Sequence, residues 1–571
     1  MKETKTHRIE RYGSDVFLDV IKAYGIKYVF FNPGATTRGL HDSLINDAEL
    51  TLVLCMHEES AVAMAHGYAK MTGKPAVVLL HANVGLLNAS MGIFNAYVDR
   101  VPMLILNGLG PSAVEKRRPW IDWIHTNTSQ ASMMKDYVRW YDQPTSLESA
   151  IQSVERALIL TEAKPCCPTL VTIDAALQEQ STEIDFRFTP GKSLISPQAS
   201  EHYLIILAEL IINSNYPIFI ANQLGRYDGA VAVITLLCER LSIPIVDMGD
   251  AYNFPNGNNL YITENYKSYL RKSDLIISLE NTELQSVIFE LQEDKYQPIF
   301  NSDAKIVKIG MGESFIRSET CDYFELQNTY LNIIGEIRSS LSRLSEILFS
   351  DSDSSTTHKR KNARELILYE IKTTEKPVAL QTPFHEAIRG FWNIIKDEDW
   401  ILVNEPSIIY GKEIRKIWKF SDKHIHLGNS GGCGLGYGVG ASIGAAFGIE
   451  DKNKIIISFI GDGDLNFSSS TLWTASHYKL PIIFIVVNNQ GYYNTKTHST
   501  YISKIRNREL KREFTGNEII DPEVNYEHLA SAYGIKFIGT ATDLKSSEDI
   551  LFKAISFMND CHSPSLIELV I

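Results

Sequence analysis

The stretch from Ile455 to Gly491 constrains the fold more than any other part of this chain. An apolar run, Ile455–Ile460 (IIISFI), leads without a spacer into Gly461-Asp462-Gly463-Asp464. A helical stretch, SSSTLWTASHY, follows, and a second apolar run, PIIFIVV, ends in Asn488-Asn489-Gln490-Gly491. Strand, helix and strand in this order make a βαβ unit, so the two strands are parallel neighbours. Their carboxyl ends meet at one edge of the sheet, where open α/β folds bind ligands. Asp462 and Asn489, 27 positions apart, are thereby brought together. The glycines let a phosphate approach the backbone, and the following helix offers its amino-terminal N–H groups. A carboxylate from Asp462, an amide oxygen from Asn489 and a nearby carbonyl form a hard oxygen set, suited to Mg²⁺ shared with phosphates and not to zinc. Taken singly, GDG reads as a tight turn and Asn-Asn as a strand end. Their spacing on one unit favours the metal–diphosphate site.

The same alternation of short apolar runs with helical patterns covers nearly the whole chain, as parallel α/β layers require. The expected buried strands are Lys27–Phe31, Leu52–Met56, Ala76–Leu80, Met103–Leu106 and Thr169–Ile173, then Ile218–Ala221, Ile243–Val246, Leu275–Leu279 and Lys305–Ile309, then Ile401–Asn404, Ile455–Ile460, Ile482–Asn488 and Ser565–Val570. The fold class is therefore α/β, with three doubly wound parallel-sheet domains. At roughly 150 residues per domain, 571 residues suffice for three. The expected limits are 1–185, 195–348 and 366–571. A linker at 349–365 contains the polar run SDSDSSTTHKRKNA, which cannot bury enough apolar surface to fold alone.

The formal charge of −13 argues against a broad nucleic-acid-binding surface, which needs a basic face. Seven cysteines without a CxxC pair suit a reducing compartment and no structural zinc. The polar amino terminus does not read as a secretory signal. The longest uncharged stretch, His424–Ile449, holds nine glycines and does not read as a membrane span. A soluble cytoplasmic protein is the expectation.

GDGD followed by NNQGY at this separation resembles the cofactor motif of thiamine-diphosphate-dependent enzymes. Asn32-Pro33-Gly34-Ala35 and the run His57 to Ala69 (HEESAVAMAHGYA) resemble that family's pyrimidine-binding domain. The likeness runs over nearly the whole chain as pyrimidine-binding, central and diphosphate-binding domains, and is strongest to the group containing benzoylformate decarboxylase, benzaldehyde lyase and acetolactate synthase. The resemblance implies thiamine diphosphate and Mg²⁺ as cofactors. It implies that Glu58 bonds the pyrimidine nitrogen and drives the aminopyrimidine towards its imino form. Read from the residues alone, Glu58 opens an amphipathic helix with Ala61, Met64, Ala65 and Tyr68 on one face, as a dipole-complementing carboxylate would. By the same resemblance, Asp462, Asn489 and Gly491 hold the metal. Gly461, Gly463, Asp464 and Tyr492 line the cofactor, Asn404, Glu405 and Ser407 form the diphosphate loop, and Gly434-Leu435 supplies the apolar wedge that bends the coenzyme. The glycine run 428–448 lacks a strict GxGxxG, which removes a dinucleotide-binding dehydrogenase.

His81 follows the strand Ala76–Leu80. By itself it reads as a satisfied structural residue. By resemblance to benzoylformate decarboxylase it relays protons to the reacting carbonyl oxygen, a position at which acetolactate synthases lack a histidine. Two departures stand against a simple transfer. Ala35 occupies the place of that decarboxylase's carboxylate-binding serine, as in benzaldehyde lyase, and the central segment offers only His202, out of place for a second histidine. Thr126–Ala131 resembles a benzaldehyde lyase segment whose glutamine, here Gln130, enters the active site. A solvated loop residue is the other reading of Gln130, and surface placement is an equal reading of Tyr492, Tyr493 and His498. The expected reaction is cleavage or formation of a C–C bond beside a carbonyl, with a 2-oxo acid donor and an aldehyde or second 2-oxo acid as acceptor. Acetolactate synthase, a 2-hydroxyacyl-coenzyme A lyase and a catalytically silent scaffold of the same fold are the alternatives. No motif in Ile218–Arg226 (IFIANQLGR) marks a flavin or nucleotide site. A homodimer or homotetramer follows from the family, in which the two halves of the coenzyme sit on different subunits.

Overall fold

The computed structural model describes residues 10–183, 194–292, 295–311, 328–349, 365, 367–371, 382–451, 453–509 and 516–571. The chain forms two compact units. The first comprises Met1–Leu194, Ser430–Glu450 and Asp464–Leu480, the second Ile195–Asn429, Asp451–Gly463 and Pro481–Ile571.

The first unit is built on a six-stranded parallel sheet of β1 (Tyr28–Phe31), β2 (Thr51–Leu54), β3 (Ala76–Leu80), β4 (Met103–Leu109), β5 (Trp140–Asp142) and β6 (Pro168–Asp174). Their order is β2-β1-β3-β4-β6-β5. β3, β4 and β6 are buried along their whole length, as strands covered by helices on both faces must be. The order reverses between β1 and β3, so the segments that leave these two strands diverge and open a crevice. Val16, Phe17, Phe31, Val77, Leu104, Ile151 and Val171 belong to the core on one side of the sheet.

The second unit holds two large parallel sheets and the small antiparallel pair Phe289–Gln292 and Lys295–Pro298. One is the parallel set β7 (Pro217–Ala221), β8 (Ile245–Asp247), β9 (Leu275–Leu279), β10 (Lys305–Gly310) and β11 (Leu331–Ile334), ordered β8-β7-β9-β10-β11. The other is β12 (Trp400–Asn404), β13 (Ile425–His426), β14 (Ile455–Gly461), β15 (Ile482–Asn488), β16 (Lys536–Ala541) and β17 (Ser565–Val570), ordered β13-β12-β14-β15-β17-β16. This is the strand order of the first unit's sheet, although the two segments show no sequence repeat. One apolar core runs through the second unit, from Leu204 and Phe219 to Trp400, Trp418, Phe459 and Ile567.

All thirteen expected strands are present, most with ends shifted by one or two residues, and β14 and β15 are parallel neighbours as the motif required, with Gly461 opposite Val487. Four further strands of the three sheets, β5, β11, β13 and β16, escaped the sequence. Every one is an edge strand. An edge strand is half exposed and does not write a continuous apolar run into the sequence. The expected linker around Ser350–Ala363 lies outside the described residues, as does most of the first expected boundary, 184–193.

The helix Glu58–Thr72 corrects one expectation. It is not amphipathic, because every residue from Glu58 to Ala69 is buried. One face meets the sheet, another the helix Ala82–Val98, and a third the helix Tyr437–Gly448, where Ala63, Tyr437 and Ala441 form a small core of their own. A helix covered on all sides carries no polar stripe.

Candidate functional site

In the first unit, the crevice between β1 and β3 sets Gly34–Thr36 against His81. A Cβ at Gly34 would stand 2.1 Å from His81 Cγ, so only glycine admits the imidazole there. The hydroxyl of Thr36, a fully buried residue, lies 2.9 Å from His81 Nδ1. The Thr36 backbone N–H also donates to Nδ1, at 3.4 Å. A backbone N–H can only donate, so Nδ1 is the acceptor and the ring's proton sits on Nε2. The threonine hydroxyl accepts from Ala82 N at 3.0 Å and gives its own proton to the ring. Burial holds the His81 pKa below the usual imidazole value, with His125 and Arg118 acting in the same direction and Glu58 opposing them.

The turn that carries His81 is strained and braced. Ala82 has φ +48, in the left-handed region that a residue with a Cβ rarely adopts, at a cost on the order of 1–3 kcal/mol. Thr36 Oγ1 holds its N–H, and Asn107 Nδ2 donates to the carbonyls of Ala82 at 2.8 Å and Leu80 at 3.2 Å. Gln130 donates through Nε2 to Asn107 Oδ1 and to the Gly108 carbonyl at 3.0 Å. It has no exposed surface. That removes the solvated-loop reading of Gln130. It is a brace beneath the His81 turn.

Glu58 opens its helix behind His57, whose Nδ1 caps the helix by accepting from Glu59 N at 3.2 Å. The Glu58 carboxylate is buried and accepts from Asn88 Nδ2 at 3.1 Å. A Cβ at Gly85 would lie 3.2 Å from Glu58 Oε1 and 3.6 Å from His81 Cβ, so acid and imidazole flank one backbone position. Gly434 is clamped by Asn95, which accepts its N–H at 3.1 Å. Leu435, next along, is 40% exposed, as a side chain kept free to meet a ligand would be.

The sequence did not single out Glu59. Its carboxyl is pushed up to about 7 by burial and by Asp464, and its Oε1 has no hydrogen-bond partner among the described residues. Asp464, partly buried and pushed up to about 6, accepts from Gly436 N at 2.5 Å. The two acids thus meet at Gly436. Asp464 therefore stands with Glu59, as a member of an acid pair.

In the second unit, the tips of β14 and β15 bring together the three residues expected to hold a metal. Gly491 N donates to Asp462 Oδ2 at 2.8 Å and to Asn489 Oδ1 at 3.2 Å. Burial pushes the Asp462 carboxyl up to about 6 against four backbone N–H groups that favour its charge. Gly463 is glycine for a steric reason, since a Cβ there would stand 2.7 Å from the Tyr492 ring. Asn404, at the end of β12, donates to the Phe459 carbonyl at 2.8 Å, and its Oδ1 is buried with no partner among the described residues. Ser407 caps the helix Ile408–Ile417 by accepting from Tyr410 N at 3.3 Å. Glu405, next to Asn404, is buried, and its carboxylate is taken by the buried Arg415 guanidinium. Tyr493 and His498 sit on the helix Tyr493–Ile505, which buries none of its residues, so surface placement holds for both.

Carboxylate, amide oxygen and backbone carbonyl, all hard oxygens at one sheet edge, fit Mg²⁺. No group of three His, Cys, Asp or Glu side chains suited to a metal occurs among the described residues. No described helix is long and apolar enough to cross a membrane.

Comparison with known proteins matches two stretches of the chain. Residues 11–134 match the N-terminal TPP binding domain of thiamine pyrophosphate enzymes, and residues 411–569 match the C-terminal TPP binding domain. With both domains and the fold that carries them, the chain is a thiamine pyrophosphate enzyme. Over 540 residues it is 25% identical to the acetolactate synthase large subunit of Lactococcus lactis, covering 92% of this chain and 88% of that one. It is 22% identical over 495 residues to benzoylformate decarboxylase of Pseudomonas aeruginosa, covering 83% and 85%. The crystal structure of benzoylformate decarboxylase from Polynucleobacter necessarius superposes with a TM-score of 0.79 at 18% identity, covering 98% of each chain.

Proposed function

We propose that this chain is a thiamine-diphosphate- and Mg²⁺-dependent enzyme that cleaves the bond between the carbonyl and carboxylate carbons of a 2-oxo acid. The carbonyl fragment is then protonated to an aldehyde or joined to a second carbonyl. The observation that carries this reading is the placing of buried Glu58 and the His81 side chain on either side of Gly85, with the ring's proton on Nε2. That pair can hold one proton at a carboxylate and offer another to a carbonyl oxygen.

The residues fit the coenzyme. Asp462, Asn489 and the Gly491 carbonyl would hold Mg²⁺, and Gly461, Gly463, Ser407 and Tyr492 would border the diphosphate. The unpartnered Asn404 Oδ1 is available to the same group. Glu58 would bond the pyrimidine, with Leu435 as the apolar wedge. When bound, the coenzyme supplies a nucleophilic carbon and an electron sink. Asn88 keeps the Glu58 carboxylate aligned, and His81 Nε2–H donates to the substrate oxygen.

A second reading, condensation of two 2-oxo acids to an acyloin, is favoured by the likeness to the Lactococcus lactis acetolactate synthase over 92% of this chain. A homodimer or homotetramer is part of the proposal, and Trp120 and Trp123, 72% and 75% exposed, support an apolar contact with another copy. Cytoplasmic placement is supported by six described cysteines that form no disulfide.

A panel of 2-oxo acids, each incubated with coenzyme and Mg²⁺ with and without acceptor aldehydes and read by mass spectrometry, tests the reading. Release of CO₂ with aldehyde or acyloin supports it, and no turnover of any member refutes it.

A further inference from the structure

One residue that neither the sequence motifs nor the family domains single out stands against the proposed acid–base group. The His125 ring lies edge to face against His81, with centroids 5.1 Å apart and planes at 79°. It belongs to the segment between β4 and β5, which Asn83 fastens to the start of the Ala82–Val98 helix through a 3.0 Å bond to the Ile124 carbonyl. Arg118 and the buried Asp122 pair at 2.5 Å within the same segment. His125 is thus held in place while remaining partly exposed to solvent.

Charge balance gives this neighbour work. Conversion of R–CO–COO⁻ and one H⁺ to R–CHO and CO₂ requires two kinds of proton handling. The carbonyl oxygen takes a proton as the bond forms at its carbon and returns it on product release. When the carboxylate leaves as CO₂, the electron pair stays on the former carbonyl carbon, which must then gain a proton to make the new C–H bond. His81 has a single proton to give, because Thr36 occupies its Nδ1 as an acceptor. That proton serves the oxygen.

We propose that His125 is a second acid–base residue of this site, delivering to the carbon the proton that His81 cannot spare. Its Nδ1 or Nε2 N–H bond breaks as the C–H bond forms, and its partly exposed ring recovers a proton from water. The groups facing the pair are Glu58 from its helix, Arg118 and Asp122 from the same segment as His125, and Arg38 near Asp122. This inference rests on the 2-oxo acid reading above.

The test compares the wild-type chain with His125→Gln and His125→Ala in two measurements. In ¹⁵N-histidine NMR of the protein without coenzyme, the wild-type His81 shows the Nε2–H tautomer, and His81 titrates at higher pH in the variants, having lost an adjacent imidazole. In assays with a 2-oxo acid, aldehyde release by the variants falls by roughly 10²-fold. With excess acceptor aldehyde, CO₂ release is retained, because the carbon then forms a C–C bond and needs no proton. Variants that keep the wild-type aldehyde rate and leave the His81 titration unmoved overturn the role of His125 alone. A wild-type protein that releases CO₂ from no 2-oxo acid overturns the functional reading itself.

Discussion

Asn88, one and a half turns into the helix that follows His81, donates its side-chain amide to Glu58 Oε2 at 3.1 Å. The bond joins an exposed amide to a buried acid at the mouth of the proposed pyrimidine site. Glu58→Ala removes the acid and is expected to lower turnover by roughly 10²–10⁴-fold with an unchanged circular dichroism spectrum. Asn88→Ala leaves the acid but frees its orientation, and a loss of about tenfold is expected in kcat. A wild-type rate in Glu58→Ala would refute the mechanism.

The hydroxyl of Thr36 sets the His81 tautomer. Thr36→Val keeps the shape and leaves Ala82 N–H and His81 Nδ1 short of a partner, at a cost of about 1–3 kcal/mol. Denaturant unfolding reads that loss. His81 has its pKa depressed in the fold, so it stays neutral at pH values where an ordinary imidazole takes up a proton. The acid limb of kcat/KM that depends on a neutral His81 is therefore expected below about pH 6.5, and it should vanish in His81→Ala.

Glu59 gives the stability a pH slope. Below about pH 4.5 the carboxyl holds its proton in both folded and unfolded chains. Between there and its folded value of about 7, only the folded chain keeps the proton. Stability contributed by the neutral group is therefore present at low pH and lost as pH rises through 7. Glu59→Gln carries no charge to bury, so its Tm should exceed the wild-type value by about 2–4 °C at pH 8 and match it at pH 4.5.

The oxygen cluster at the tips of β14 and β15 predicts metal affinity. Asp462→Asn removes the one carboxylate of the set and should weaken Mg²⁺ binding at least roughly tenfold by calorimetry. With the Asp462 carboxyl pushed up to about 6, binding by the wild-type chain should fall as pH drops through that value, because the protonated acid is no ligand.

Glu405 and Arg415 make a prediction about stability alone. Both are buried, and each removes the other's charge from an apolar surrounding. Glu405→Ala strands the guanidinium and is expected to cost about 3–5 kcal/mol in urea unfolding. A loss of cofactor affinity without loss of stability would return Glu405 to the diphosphate loop.

Much of this protein is written locally. Buried parallel strands appear as continuous apolar runs, so all thirteen that the sequence marked are present. The βαβ unit from Ile455 to Asn488 fixes the meeting of Asp462, Asn489 and Gly491 through strand period and crossover alone. What stayed hidden depends on strand order. The four edge strands that stayed hidden are partly exposed and write no continuous buried run. The full burial of the Glu58 helix comes from three neighbours, one of which, the helix Tyr437–Gly448, lies far along the chain.

The amino-acid order alone determined that the chain alternates strands and helices, which turns carry glycine and acid, and where Glu58 and His81 stand relative to their strands. Apolar period and turn chemistry act over a few residues, and those are readable one segment at a time. Only the folded sheets decided that Thr36 would lock His81, that His125 would lie against it, that Glu59 would meet Asp464, and that Gln130 would become a brace. Each of these pairs is separated by tens to hundreds of positions. Such partners are chosen by which strand ends the sheet order makes adjacent, a property of the whole arrangement that no single segment encodes.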